Sequence, residues 1–265
     1  MIARKKVPIA LTIAGSDSGG GAGIQADLKT FAALGVHGTS AIACLTAQNP
    51  GRVLGIEPVS AKMFYQQLEA IFEELPPQAV KTGMLFSARN VQIVAEFFQV
   101  QGRKRIPLVV DPVLVSTSGA KLLESKALRI LCGKLLPLAA LVTPNLSEAQ
   151  ILSGTKISTV EDMETAARAI HSKFGCAVLV KGGHLRNAEV ATDLFFDGKN
   201  KFTLSAPYIK GVKTHGTGCV YSAAICAKLA LGKDLPRAVR LGKQFVTNAI
   251  AGSQRIEKHW VLGIP

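Results

Sequence analysis

At 265 residues, with 48% hydrophobic and 18% charged residues, the chain holds ample material for a sizeable core, which excludes the disordered class. Its 31 basic and 18 acidic residues give a net charge of +13, but the basic residues are scattered apart from Arg4–Lys6 and Arg103–Arg105, and aromatics are only 6%. That pattern argues against a nucleic-acid surface and for a field that draws in small anions.

The first apolar run, Pro8–Ala14, follows Arg4-Lys5-Lys6 and imitates a secretory leader. It is short, and a Gly-rich turn follows instead of a small-residue cleavage site, so it reads as a buried first strand. Helical spacing predicts Ala22–Leu34, where Leu28, Phe31, Ala32 and Leu34 share a face. Thr39–Thr46 reads as a second strand, and Ala61–Leu75 and Ala88–Gln101 as helices. Leu108–Val113, Ala139–Thr143 and Ala177–Val180 are short continuous hydrophobic runs, as expected of strands covered on both faces. Val160–Phe174 is a helix between the last two. Val190–Phe196 and Lys201–Ser205 flank Asp197-Gly198-Lys199-Asn200 and read as a β-hairpin. Helices Thr217–Leu231 and Leu235–Ile250 complete the series.

This alternation predicts an α/β fold: a mainly parallel sheet with helices on both sides and an antiparallel edge. No repeat, linker or composition shift interrupts it, so residues 1–265 read as a single domain. No apolar run approaches the roughly 20 residues that span a bilayer. The five cysteines lack zinc-type spacing, which fits reduced thiols in a soluble, cytoplasmic protein.

In open α/β sheets ligands bind outside the carboxyl ends of the strands. Polar groups gather at those ends here: Gly15–Gly23, then Gln48 and Asn49, Asp111, Asn145 with Glu148, Lys181-Gly182-Gly183-His184, and Gly216–Cys219. The last is the most informative. In Thr214-His215-Gly216-Thr217-Gly218-Cys219 the glycines permit a tight turn, and a long helix-forming run follows. First-turn N–H groups and the helix dipole favour an anion there. The same environment is expected to lower the Cys219 pKa and make it a usable base or nucleophile. Cys226, two turns on, reads as core.

Gly21-Ala22-Gly23-Ile24-Gln25-Ala26 matches a dinucleotide fingerprint, but the second strand ends at Leu45–Asn49 without the carboxylate that would hold a ribose. No GxxxxGK[ST] phosphate loop occurs either. The phosphate site must be of another kind.

Six ordered blocks now bear on the question. Ala10–Thr30, Lys81–Leu85, Asp111–Val113, Thr143–Glu148, Lys181–His184 and Thr214–Cys219 resemble, in that order, the hydroxymethylpyrimidine/phosphomethylpyrimidine kinases of thiamin biosynthesis. These belong to the ribokinase-like superfamily, and the resemblance spans roughly residues 7 to 250. It implies a three-layer α/β/α domain that phosphorylates 4-amino-5-hydroxymethyl-2-methylpyrimidine, and then its monophosphate, with ATP and Mg²⁺.

The resemblance also implies roles. The loop carrying Gly15 and Ala22 would form the pyrimidine pocket, with Asp27 one helical turn on and Gln48 reading the aminopyrimidine edge. Met84 and Val113 would wall the ring. Asp111, Asn145, Lys181 and Thr214 would serve the nucleotide phosphates, and Asp111 and Glu148 would hold Mg²⁺ largely through water. Asn145 and Glu148 also read as a simple helix cap. Gly216, Thr217 and Gly218 would donate N–H groups to the migrating phosphoryl, with Cys219 as base where many relatives carry Asp. Segments 15–23 and 116–120 are candidate lids, His184 has no assigned role, and a homodimer is common in the resembled family. A pyridoxine or pyridoxal kinase of the same fold stays open, as does a non-catalytic nucleotide sensor.

Overall fold

Short apolar runs build the middle of the sheet because the central strands are buried on both faces, while the two edge strands alternate with exposed polar residues. In the computed structural model, residues 6–100, 103–114, 125–183, 185, 190–209 and 215–264 are described. The elements run β1 (Ile9–Ala14), α1 (Gly23–Ala33), β2 (His37–Ile42), β3 (Cys44–Asn49), β4 (Arg52–Pro58), α2 (Ala61–Glu74), β5 (Ala79–Thr82) and α3 (Ala88–Gln99). They continue with β6 (Leu108–Val110), α4 (Ser125–Ile130), β7 (Leu141–Val142), α5 (Leu146–Ser153), α6 (Val160–Phe174), β8 (Ala177–Val180), β9 (Val190–Phe196) and β10 (Lys201–Pro207). The chain closes with α7 (Thr217–Ala230), α8 (Leu235–Ala251), β11 (Gln254–Ile256) and β12 (His259–Val261).

The central sheet has the order β10-β9-β8-β7-β6-β5-β1-β2. It is parallel from β8 to β2, with β9 and β10 forming the expected antiparallel edge. Alternate strand residues serve opposite cores. Leu11, Ile13, Val80, Val110 and Val178 pack with Phe64, Val91 and Met163 from α2, α3 and α6. Ala10, Val109, Leu141 and Leu179 pack with Phe31, Val220, Ile225 and Val239 from α1, α7 and α8. The result is the expected three-layer α/β/α arrangement. After β1 the chain goes first to β2 on one side and later to β5 on the other. This reversal opens a crevice at the carboxyl ends of β1 and β5.

Several boundaries differ from the sequence reading. The run Thr39–Thr46 divides at Ala43: β2 stays in the sheet, and β3 leaves it to pair with β4. That hairpin turns at Asn49, whose side-chain oxygen accepts from the N–H groups of Gly51 and Arg52. The run Leu108–Val113 stops pairing at Val110, because Pro112 has no N–H and Val113 takes φ +39. In Ala139–Thr143 only Leu141–Val142 joins the ladder. Strand β5 and the small β11–β12 hairpin were not anticipated.

Asp27 requires a correction. It was expected to face a substrate, but the inner side of α1 carries it into the fold, where it is fully buried. Its Oδ2 accepts from Lys81 Nζ at 2.7 Å and from Thr12 Oγ1 at 2.6 Å. Lys81, in β5, is fully buried too. Burial pushes the Asp27 carboxyl up, opposed by Lys81 and Thr12. Burial alone would pull the Lys81 ammonium down; the Asp27 carboxylate, by charge and hydrogen bond, and the Asp111 carboxylate reverse this and keep it protonated.

Breaking a buried pair from one side leaves an uncompensated charge, which costs about 3–5 kcal/mol. Lys81→Met is therefore expected to lower unfolding stability by about that much in denaturant titrations. Lys81→Met combined with Asp27→Leu should recover most of the loss. Equal stability of the single and double variants would contradict the pairing.

Candidate active site

Glycine geometry brings the first and last loops of the site together. Gly216 has φ +83, a left-handed conformation that suits a residue without Cβ, and it starts α7 with no side-chain cap. A Cβ there would lie 1.8 Å from the carbonyl oxygen of Gly21. Gly15 is similarly confined: a Cβ would meet Met84 Cε at 2.7 Å and Cys44 Sγ at 2.8 Å. Its N–H donates to the Met84 carbonyl at 3.0 Å, and Ser16 N–H donates to Cys44 O at 2.9 Å. The loop after β1 is thus stitched to β3, to the end of β5 and to the α7 turn.

A charged cluster lies on the other side of that turn. Lys181 Nζ is 2.9 Å from Asp111 Oδ1. Thr143 Oγ1 donates to the same oxygen at 3.3 Å, and Ser222 Oγ donates to Oδ2 at 3.3 Å. A Cβ on Gly218 would sit 3.2 Å from Lys181 Nζ and 3.7 Å from Asp111 Oδ2, so both groups border the start of α7. Glu148 belongs to the same cluster. Burial pushes its carboxyl up, opposed by Lys181 and reinforced by Asp111.

Asn145 and Glu148 form a complete capping box at α5: Asn145 Oδ1 accepts from Glu148 N–H at 2.9 Å, and Glu148 Oε2 accepts from Asn145 N–H at 2.9 Å. Glu148 Oε1 accepts from Leu114 N–H at 3.1 Å. Both carboxylate oxygens therefore hold backbone, including the segment that follows the strained Val113. Among the described residues no group of three or more His, Cys, Asp or Glu could hold a metal directly. The neighbouring Asp111 and Glu148 carboxylates are oxygen donors of the kind Mg²⁺ takes, few in number and supplemented by water.

The β3–β4 hairpin positions Gln48 over the loop after β1. Ser18 Oγ donates to the Gln48 carbonyl at 2.7 Å, and Thr46 Oγ1 donates to Ser16 O at 2.7 Å. The Gln48 amide nitrogen lies 2.9 Å from His215 Nε2. Asp17 organises the loop from within, accepting from the N–H groups of Gly19, Gly21 and Ala22 at 2.9, 3.1 and 2.8 Å. Burial pushes Asp17 up, but the His215 contact and these N–H groups outweigh it and leave the carboxyl below its usual range. Sequence reasoning assigned no role to Asp17, His215, Thr143 or Ser222. For Asp17 a signal existed, since a lone carboxylate inside a Gly-rich turn is a ready loop organiser.

Cys219 also needs correction. It stands in the first turn of α7 as expected, yet its thiol is pushed up to about 11 by burial. Lys81 opposes the rise, Asp27 and Asp111 add to it, and the Gly23 N–H donated to the sulfur opposes it again. Burial and the two carboxylates together outweigh Lys81 and the Gly23 N–H, a balance that favours the thiol. Cys226 is fully buried, as a core residue should be. Thr214, His184 and segment 116–120 lie outside the described residues.

A family model described as phosphomethylpyrimidine kinase matches residues 17–262. The hydroxymethylpyrimidine/phosphomethylpyrimidine kinase of Rhizobium meliloti (strain 1021) is 49% identical over 250 residues, spanning 94% of this chain and 92% of that protein. The crystal structure of phosphomethylpyrimidine kinase from Clostridium difficile 630 is similar with a TM-score of 0.81 at 42% identity, covering 92% of this chain and 100% of that one. Bacillus subtilis pyridoxal kinase, solved as an ADP complex, is similar with a TM-score of 0.89 at 36% identity, covering 98% of both chains. With a family model matching residues 17–262 and relatives alike over more than nine-tenths of its length, the chain belongs to the phosphomethylpyrimidine kinase family of phosphotransferases.

Proposed function

We propose that this chain transfers the γ-phosphoryl of ATP to 4-amino-5-hydroxymethyl-2-methylpyrimidine, and then to its monophosphate, in thiamin biosynthesis. One observation carries the reading. The Gly216–Cys219 turn is wedged between the loop after β1 and the Asp111–Lys181 pair, so acceptor and donor sides meet at a single helix start.

Each group then has a task. Gln48 has amide donors and acceptors for an aminopyrimidine edge, with Gly15 and Ala22 as close backbone walls and Met84 and Val113 as apolar ones. Lys181 lies where it can meet a nucleotide phosphate, with Asn145 beside it through a parallel backbone bridge, and Thr214 is assigned to the nucleotide by the resemblance alone. Mg²⁺, when bound, would offset phosphate charge, held by Asp111 and Glu148 largely through water. The N–H groups of Gly216, Thr217 and Gly218 face the charge spread over the transferred phosphoryl oxygens.

Cys219 first gives up its own proton to solvent, and its thiolate then takes the hydroxyl proton as the new O–P bond forms. Phosphoryl transfer of this type has a loose transition state, so positioning and charge stabilisation outweigh early deprotonation. The thiol, pushed up to about 11 by burial in the free protein, must ionise before it can accept, and a loose transition state calls for that acceptor only late. Lys81, opposing the upward shift from below, is the charge that favours a thiolate. All five cysteines are free, as a reducing cytoplasm would keep them, and among the described residues no helix is long and apolar enough to cross a membrane.

A second reading has specific support. The likeness to a pyridoxal kinase covers 98% of the chain, and pyridoxal is also a flat heteroaromatic with a hydroxymethyl arm. Assaying ATP consumption with the hydroxymethylpyrimidine, its monophosphate and pyridoxal in parallel separates the two. Turnover of both pyrimidines is expected, and turnover of pyridoxal alone would overturn the assignment.

Cys219→Ala should lower kcat by about 10²–10⁴ with little change in ATP affinity. An unchanged kcat would remove the sulfur from the proton-accepting role. Gln48→Ala should raise KM for the pyrimidine about tenfold and leave KM for ATP nearly unchanged. If both KM values stay where they were, Gln48 does not read the substrate.

A further inference from the structure

Asn90 has no part in the chemistry above, yet it holds two walls of the acceptor pocket from behind. It lies in the first turn of α3 and is almost fully buried. Its Nδ2 donates to the Ala43 carbonyl at 3.2 Å and to the Leu85 carbonyl at 3.0 Å. A carbonyl only accepts, so two such partners fix which end of the amide faces them. The same two segments carry the loop after β1. Cys44 O, one residue past Ala43, accepts from Ser16 N–H, and Met84 O, one residue before Leu85, accepts from Gly15 N–H.

Neither ordinary reason for a buried Asn accounts for this one. The start of α3 is already capped by Ser87, whose Oγ accepts from Asn90 N–H at 3.1 Å. Nor would the two carbonyls be orphaned without it, because Ala43 O also accepts from Val59 N–H at 3.1 Å and Leu85 O from Ser87 N–H at 2.8 Å. What the two positions share is irregular backbone. Ala43 is where the chain leaves the central sheet between β2 and β3. The bond from Ser87 to Leu85 closes a three-residue turn about Phe86 at φ +66, a conformation that is rare and strained in a residue with a side chain. Such backbone keeps its shape only where surrounding contacts pin it.

We propose that Asn90 is a positioning residue for the acceptor: its two hydrogen bonds set the separation of Cys44 and Met84, and through them the seat of Gly15 and Ser16, against which a flat heteroaromatic ring lies. This rests on the reading of the loop after β1 and Met84 as the acceptor pocket. Both bonds run to that side of the site, so the effect of Asn90 falls on acceptor binding and not on the nucleotide.

Two measurements on the intact protein test this, each in Asn90→Leu, which keeps a branched side chain and removes both donors, and in Asn90→Ser, which leaves room for water in their place. The first is native-state amide hydrogen exchange. Gly15 and Ser16 N–H should exchange about tenfold faster than in the native protein. Thr143 and Lys181 N–H, held by the Val110 and Pro144 carbonyls on the nucleotide side, should keep their rates. The second is steady-state kinetics. KM for the acceptor should rise about tenfold, while KM for ATP stays put and kcat holds within about twofold. Unchanged exchange at Gly15 and Ser16 overturns the proposal whatever the substrate, as does an equal rise at all four amides, which marks loss of stability alone. Faster exchange at Gly15 and Ser16 with both KM values unchanged sinks it too. If pyridoxal is turned over and the pyrimidines are not, the substrate assignment fails, and the same split read on pyridoxal upholds or overturns the role of Asn90.

Discussion

The left-handed turn at Gly216, seated against the carbonyl of Gly21, is the constraint on which the rest of the site depends. It fixes where α7 begins, and so where its first-turn N–H groups point. It also fixes the distance between the loop after β1 and the helix, because neither backbone leaves room for a Cβ at that contact. Two segments about 200 residues apart in sequence are thereby joined at van der Waals distance. The parallel sheet makes this possible by delivering each loop to the same edge.

Beneath and beside this turn the charges alternate. Asp27 pairs with Lys81 under Cys219, and Asp111 pairs with Lys181 beside Gly218, with Glu148 next in the series. Buried ion pairs add little stability compared with apolar packing, so stability is a poor reason for so many of them. Their common feature is proximity to one sulfur: Lys81, Asp27 and Asp111 all act on Cys219. With two carboxylates raising the thiol and one buried ammonium lowering it, a small change in this balance alters its readiness to accept a proton. The site therefore resembles a poised electrostatic arrangement more than a permanently activated nucleophile.

The sheet, its antiparallel edge and most helices were legible in the sequence because each leaves a local signature of period, run length or turn residue. Strand β5 was hidden because only Ala79 and Val80 of its four residues are apolar, and only a distant carboxylate explains a buried lysine there. The division of Thr39–Thr46 at Ala43 was hidden for a related reason: β3 changes partner from a parallel sheet to β4, and no single residue announces a change of partner. Among site residues, the positions at strand ends were legible because parallel topology places them together. Asp27 was misread since one turn of helix separates a loop-facing position from a sheet-facing one. The Cys219 shift was misread because the dipole is a local property and burial is a global one.

Glu148 shows how far one residue can serve both structure and chemistry. Its capping box is enough to explain Asn145 and Glu148 as the start of a helix. Its second oxygen, however, holds Leu114 N–H, directly after a valine whose φ of +39 is unfavourable for a β-branched side chain. Such strain persists only where surrounding contacts over-determine it. The cap thus reaches across to the loop after β6 and holds it just past Asp111 and Val113, so the proposed phosphate side and the proposed ring wall share one anchor. In that proposal a cation drawing on Glu148 through water would act on a carboxylate already committed to both, and would tie occupancy of the phosphate side to the shape of the acceptor pocket.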